Sequence, residues 1–347
     1  MKYNRVYLTA LGYELGPEVV TSAELEERLA PAYQRLSIHP GQLEAWTGIG
    51  ERRWWHPDAR LSAGATAAAR KALAKSSVKP ADLGVVIYAG VCRENFEPAT
   101  ACVVADALGV RGDASVYDLS NACLGVLNGM LDIANRIELG QIRAGLVVSC
   151  ESAREINEIM IARMLHGVEM AEFAEALATF TGGSGAVAML LTDGSFAGDK
   201  GHRLLGAVSQ VAPEHHELCR WGLEPAAGLQ QTQYMATDSV SVLKHGVLLG
   251  RETWQVFLKE MGWSPAQVDR VICHQVGSGH QDAILSSLQV QKEKDFTTYR
   301  FLGNMGTAAL PVTAAIADER GVLKSGQRVG FLGIGSGLTC LMMGLEW

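Results

Sequence analysis

The 347-residue chain is 48% hydrophobic and 19% charged, enough apolar material for one large domain or two closely packed halves. A net charge of −7 with no arginine- or lysine-rich stripe argues against a nucleic-acid partner. No apolar run reaches the roughly 18 residues of a transmembrane span, and the seven scattered cysteines, odd in number and never CxxC, read as free thiols in a reducing, cytoplasmic setting.

In chain order, residues 1–14 read as a first strand and not as a leader peptide. An alanine-rich helix over 61–76 stops before Pro80 and leads to a strand at 83–90. A polar island, VCRENFEPAT (91–100), follows and carries Glu94 and Glu97. Within YDLSNACLGVLNGMLDIA (117–134), a strand ends near Leu119 and a helix over 122–140 begins at Cys123. Near-continuous Val, Ile, Leu and Ala runs at 144–151, 185–192, 270–277 and 328–337 predict strands covered on both faces. The segment 152–180, rich in Met, Leu and Phe, suits an aliphatic-chain pocket, a dimer surface or plain core. Gly182–Gly185 lacks the Lys-Ser/Thr ending of a phosphate loop and instead predicts close packing. A long helix over 240–262 is interrupted by Gly246.

Alternating strands and helices define an α/β layered protein. The polar, glycine-containing stretch 193–203 is the best internal boundary, dividing the chain into 1–194 and 195–347. SPAQVDRVICHQVG faintly echoes KPADLGVVIYAGV, which suggests a duplicated half.

Cys123 is the sharpest chemical feature. A cysteine at a strand-to-helix junction would face unpaired N–H groups and the positive end of the helix dipole, both of which favour thiolate. His274 stands where a strand passes into the glycine-framed turn HQVGSG, and Asn304 lies between glycines in RFLGNMGTAALP. Taken singly, each residue suits a structural role. Together, an imidazole and a carboxamide converging on a thiol can donate hydrogen bonds to an oxygen where charge develops.

These pieces, NAC (121–123), HQVG (274–277), GNMGTAALP (303–311) and GIGSGL (333–338), resemble the thiolase superfamily. The resemblance covers nearly the whole chain. It is closest in the branch containing ketoacyl synthase III and the enzymes that condense two acyl-CoAs in head-to-head olefin biosynthesis. It implies a thiolase-like five-layer αβαβα fold from two related halves, normally a homodimer. It also implies nucleophile Cys123, imidazole His274, carboxamide Asn304, and an oxyanion hole from the N–H groups of Cys123 and Gly337. The Glu of a Glu-Pro pair in the 91–100 loop acts in that branch as the base that removes an α proton from inside the neighbouring subunit's site, which points to Glu97 over Glu94. A Glu at the start of the following helix could also serve only to favour its dipole.

The expected reaction is therefore a non-decarboxylative Claisen condensation of two fatty acyl-CoAs to a 2-alkyl-3-oxoacyl product, which a downstream β-keto acid processing enzyme could receive. The alternative is a 3-oxoacyl-ACP synthase III using malonyl-ACP. Departures from that alternative are HQVG where its Asn is usual, GNMG where its Thr-Ser pair is usual, and Arg52, Arg53, Trp54 and Trp55 that do not match its adenine-binding pattern cleanly. Cys340 reads as core and not as a thiolase's second cysteine. No nicotinamide or flavin fingerprint is present, so no cofactor is expected. His215, His216 and Cys219 lack a convincing fourth ligand and read as a surface connection, not a metal site.

Overall fold

A computed structural model describes residues 1–198, 201–226 and 230–347. Residues 199 and 200 of the expected boundary at 193–203 lie outside the described residues. The main strands are β1 (Tyr7–Leu15), β2 (Leu83–Ala89), β3 (Ser115–Leu119), β4 (Ala144–Glu151), β5 (Gly185–Thr192), β6 (His202–Val211), β7 (Arg270–Cys273), β8 (Arg328–Gly335) and β9 (Thr339–Glu346). They hydrogen-bond in the order β7-β8-β9-β6-β1-β5-β4-β2-β3.

The order contains a repeat. β1 runs antiparallel to β5, β5 antiparallel to β4, and β4 parallel to β2. In the second half β6 runs antiparallel to β9, β9 antiparallel to β8, and β8 parallel to β7. The strand pairs Tyr7↔Arg203 and Leu8↔His202 join the two halves into one sheet, with a bridge from Lys2 to Gly206 beside them. The Pro-Ala echo has a structural counterpart as well. Short 3-10 turns at Pro80–Asp82 and Pro265–Gln267 precede β2 and β7. Each is closed by a side chain accepting a backbone N–H three residues back, Lys79 N to Asp82 and Ser264 N to Gln267, both at 2.8 Å.

Helices α1 (Leu61–Ala74), α2 (Thr100–Leu108), α3 (Gly125–Glu138), α4 (Arg154–His166), α5 (Met170–Ala176), α6 (Ser239–Met261), α7 (Ser278–Leu288) and α8 (Ala309–Glu319) cover the sheet. Strand alternation distributes the core. On β2, Val86 and Tyr88 pack with Ala65, Ala68 and Ala69 of α1. Val85, Ile87 and Ala89 instead join a cluster with Leu127 and Met130 of α3, Leu310 and Val312 of α8, and Phe331 and Met343 of the second half. Thus α3 and α8 lie between the halves, while α6 and α7 cover the far face through Leu249, Trp254, Phe257 and Leu285. The result is the expected five-layer αβαβα arrangement. Every residue of β4 and β5 is buried, which explains their unbroken apolar sequences.

Two element boundaries differ from the sequence reading. β7 ends at Cys273, so His274 belongs to the turn after it. α6 is continuous through Gly246, whose missing side chain admits Ile334: a Cβ there would lie 3.0 Å from its Cδ1.

Candidate active site

β3 delivers the chain into a tight turn at Ser120–Leu124, where Ala122 adopts a φ of +43°. That left-handed step is uncommon for a residue with a side chain and turns Cys123 towards a cavity of about 720 Å³. Leu124 N–H closes the turn on Asn121 C=O at 2.9 Å, and the Asn121 side chain donates to Asn128 Oδ1 at 2.8 Å. α3 starts at Gly125, not at Cys123. Its early Val126 N–H is already taken by Thr307 Oγ1 at 2.8 Å. The expected thiolate is accordingly not what this setting favours. Burial first, then the nearby Cys219 and Glu151, push the Cys123 thiol up to about 12, while its own backbone N–H offsets only part of this.

His274 and Asn304 line the same cavity as Cys123. His274 N–H donates to Leu332 C=O at 3.0 Å, continuing the β7–β8 pairing by one bond. Its Nδ1 is buried without a hydrogen-bond partner. Burial, followed by the neighbouring His280, pushes the imidazole down to about 4, so it is neutral at pH 7. Gln275 locks this turn in place. Its amide nitrogen donates to Cys273 C=O, and its Oε1 accepts from Thr298 and Tyr299 N–H at 3.0 and 3.2 Å.

The Asn304 backbone is pinned at both ends, by N–H to Thr181 C=O and by C=O from Gly183 N–H, each 2.9 Å. Its Oδ1 accepts from Gly306 N–H at 3.0 Å. That bond occupies the acceptor and leaves the amide's two donors for the cavity. The Gly182–Gly185 segment is therefore the cradle of this turn. A Cβ on Gly183 would collide with the Leu302 carbonyl oxygen.

The structure does not bring all the expected residues together. Gly337, with a φ of +139°, is absent from the cavity lining, whereas Gly335 and Ser336 belong to it. A Cβ on Gly335 would stand 3.4 Å from Cys123 N, so it is Gly335 that lets the two backbones meet. In this turn Ser336, and not Gly337, forms part of the cavity wall. Glu97 is exposed and lies outside the cavity of its own chain, beside Phe96, which is 97% exposed. Glu94 is structural: it accepts from Ser62 N–H and Oγ, both at 2.7 Å, and from Arg60 at 2.9 Å, anchoring the start of α1.

Cys219 lines the cavity and does not lie in a surface connection, and the His215 ring packs tilted against His245 with centroids 3.9 Å apart. Cys340 is core, as expected, although it also borders the cavity. Arg52 and Trp54 are buried, Arg52 donating to Ser22 Oγ and Phe180 C=O, so neither is free to meet an adenine. Trp46, Arg220 and Trp221 line the cavity instead. Ile156 and Leu177 from the 152–180 segment form part of its wall, but Met160, Met164, Phe173 and Phe180 are core. A second stretch of wall comes from Val242, Leu243 and Val247 of α6 with Ile284 and Met342. Sequence reasoning missed Glu151 and gave Cys219 no place beside Cys123, because both come near it only where distant segments meet.

Among the described residues, no group of three His, Cys, Asp or Glu side chains could hold a metal ion, and no helix is long and apolar enough to cross a membrane. All seven cysteines are unbridged.

Residues 258–347 match the family model for the C-terminal part of 3-oxoacyl-[acyl-carrier-protein] synthase III. The chain is 56% identical to the acyl-CoA:acyl-CoA alkyltransferase of Shewanella oneidensis over the full length of both. It superposes on cerulenin-bound OleA of Xanthomonas campestris with a TM-score of 0.93 at 35% identity, covering 100% of this chain and 98% of that one. A cysteine-to-serine variant of the same Xanthomonas protein, with bound lauric acid and lauroyl-CoA, gives a TM-score of 0.92 at 35% identity, covering 99% of this chain and 100% of that one.

Proposed function

The chain belongs to the acyl-CoA:acyl-CoA alkyltransferase (OleA-type) family of thiolase-like enzymes, and from that premise we propose that it joins two fatty acyl-CoAs through an acyl-cysteine at Cys123. The observation that carries this reading is one apolar-walled cavity of about 720 Å³ holding Cys123, His274 and Asn304.

In the first half-reaction the Cys123 sulfur attacks a thioester carbonyl, CoA leaves as its thiol, and the acyl group remains on sulfur. A thiol pushed up to about 12 must lose its proton as it attacks. The neutral imidazole of His274, which lines the same cavity, is suited to take it. The N–H groups of Cys123 and Ser336 receive the tetrahedral oxyanion.

In the second half-reaction a second acyl-CoA loses an α proton to a carboxylate. His274 and Asn304 stabilise the resulting enolate oxygen, and the carbanion displaces Cys123 to give a 2-alkyl-3-oxoacyl thioester. Glu97 is that carboxylate in this proposal, delivered from a second copy of the chain. Its exposure beside Phe96, at the end of a loop whose first residue Val91 borders the cavity, supports this reading. A homodimer and a cytoplasmic setting belong to the same proposal, the latter resting on the unbridged cysteines. So does the division into halves 1–194 and 195–347, which the repeated strand order supports.

The test offers purified enzyme an acyl-CoA alone, or with malonyl-ACP, and follows free CoA and the carbon-linked product by mass spectrometry. Product from acyl-CoA alone is expected, with Glu97→Gln still acylating Cys123 but losing condensation. An absolute requirement for a malonyl thioester would replace this reading with the decarboxylative one.

A further inference from the structure

Glu151 ends β4 with its side chain buried, the residue being 4% exposed, and it is the one carboxylate among the described residues that lines the cavity. Its Oε1 accepts from Val91 N–H at 3.0 Å and its Oε2 from Cys92 N–H at 3.1 Å. Burial pushes its carboxyl up from the usual range, and the backbone of Thr307, on the Gly306 side, is among the groups that offset this. Two glycines give the carboxylate room. A Cβ on Gly306, whose φ is +55°, would stand 3.4 Å from the Glu151 carboxyl, and one on Gly90 would stand 3.5 Å from Oε1.

Those groups belong to the two segments that the condensation has to align. Val91 and Cys92 are the root of the loop that ends at Glu97. Gly306 and Thr307 are the turn whose N–H orients Asn304 and whose hydroxyl caps Val126 after the nucleophile. A buried carboxylate is costly unless hydrogen-bonded, and here its hydrogen bonds come from the first segment while its carboxyl packs against the second.

We propose that Glu151 is a positioning residue that ties the root of the Glu97 loop to the Asn304 turn, so that base and amide donor address the same substrate carbon. Its role rests on the condensation proposed above. With both oxygens already engaged by main-chain N–H groups, it acts through those segments and not as the base itself.

Glu151→Gln keeps the shape but sets an amide NH₂ against one backbone donor. Condensation should fall by about 10- to 100-fold, while acylation of Cys123 stays within about 3-fold of wild type. If Glu151 works through the Glu97 loop, Glu97→Asp, which keeps a displaced base and part of the condensation, should lose almost nothing further when Glu151→Gln is added, because the two act as one unit. A second readout separates this from general loosening. The Glu151 charge raises the Cys123 thiol, so Glu151→Gln should shift the pH profile of Cys123 alkylation to lower pH. Glu151→Asp retains the charge and should leave that profile in place while still slowing condensation.

Equal losses in both half-reactions, or full additivity with Glu97→Asp, would overturn the proposal. So would a Glu151→Gln enzyme that condenses at the wild-type rate. Failure of the wild-type enzyme to make product from acyl-CoA alone would instead remove the functional reading on which the proposal stands, an outcome recognised without any Glu151 variant.

Discussion

Cys123 gains its access to substrate from a strained turn and its high proton affinity from burial, and both consequences are measurable. With the thiol pushed up to about 12, the rate of alkylation by iodoacetamide should rise about tenfold per pH unit between pH 8 and 10. An ordinary surface thiol would level off in that interval. Cys123→Ala should form no acyl adduct on incubation with an acyl-CoA while keeping its fold; a competent adduct on the variant would remove Cys123 from its role. His274→Ala and Asn304→Ala should each slow carbon–carbon bond formation by ~10²–10³, the usual loss when one donor to a developing oxyanion goes.

His274 also links the site to stability. Its folded value of about 4 lies below the ordinary 6.5, so the folded state prefers the neutral ring. Its contribution is complete above pH 6.5 and is lost as pH falls towards 4, amounting to about 3 kcal/mol. His274→Asn should therefore flatten the wild-type loss of stability between pH 7 and 4.5 in urea titrations. An unchanged slope would place His274 in a more solvated setting.

At the scale of elements, the turn around Asn304 depends on a close approach that only glycine permits. Gly183→Ala would drive a methyl group into the Leu302 carbonyl and should lower stability by about 2–3 kcal/mol with loss of condensation, read by thermal unfolding and product assay. β2, β4 and β5 were legible in the sequence because burial on both faces leaves an unmixed apolar run. α1, α3 and α6 were legible in extent but not at their ends. The reading ran the β7 strand through His274 and started α3 at Cys123 because hydrophobicity continues where the backbone turns away to make the site. Gly337 rests on similarity to a glycine pattern, which names a glycine of GIGSG but does not say which N–H of the turn faces the cavity. Glu151 carries no local motif, and Cys219 reads in the sequence only as part of a poor metal set; each comes near Cys123 only through the packing of distant segments.

The whole molecule repeats one arrangement of strands, and the site lies where α3 and α8 bring the two repeats together. That symmetry supplies nucleophile, imidazole and amide from one chain but leaves Glu97 outside the cavity, so the account requires a second copy to complete each site. The most direct test mixes two separately inactive proteins, Cys123→Ala and Glu97→Gln, under conditions that exchange subunits, and feeds acyl-CoA alone. A mixed dimer then contains one site with an intact Cys123 and an intact Glu97, and random exchange should restore about a quarter of wild-type condensation. No recovery, with exchange verified by native mass spectrometry, would contradict the claim that Glu97 acts from the neighbouring chain in joining two acyl-CoAs.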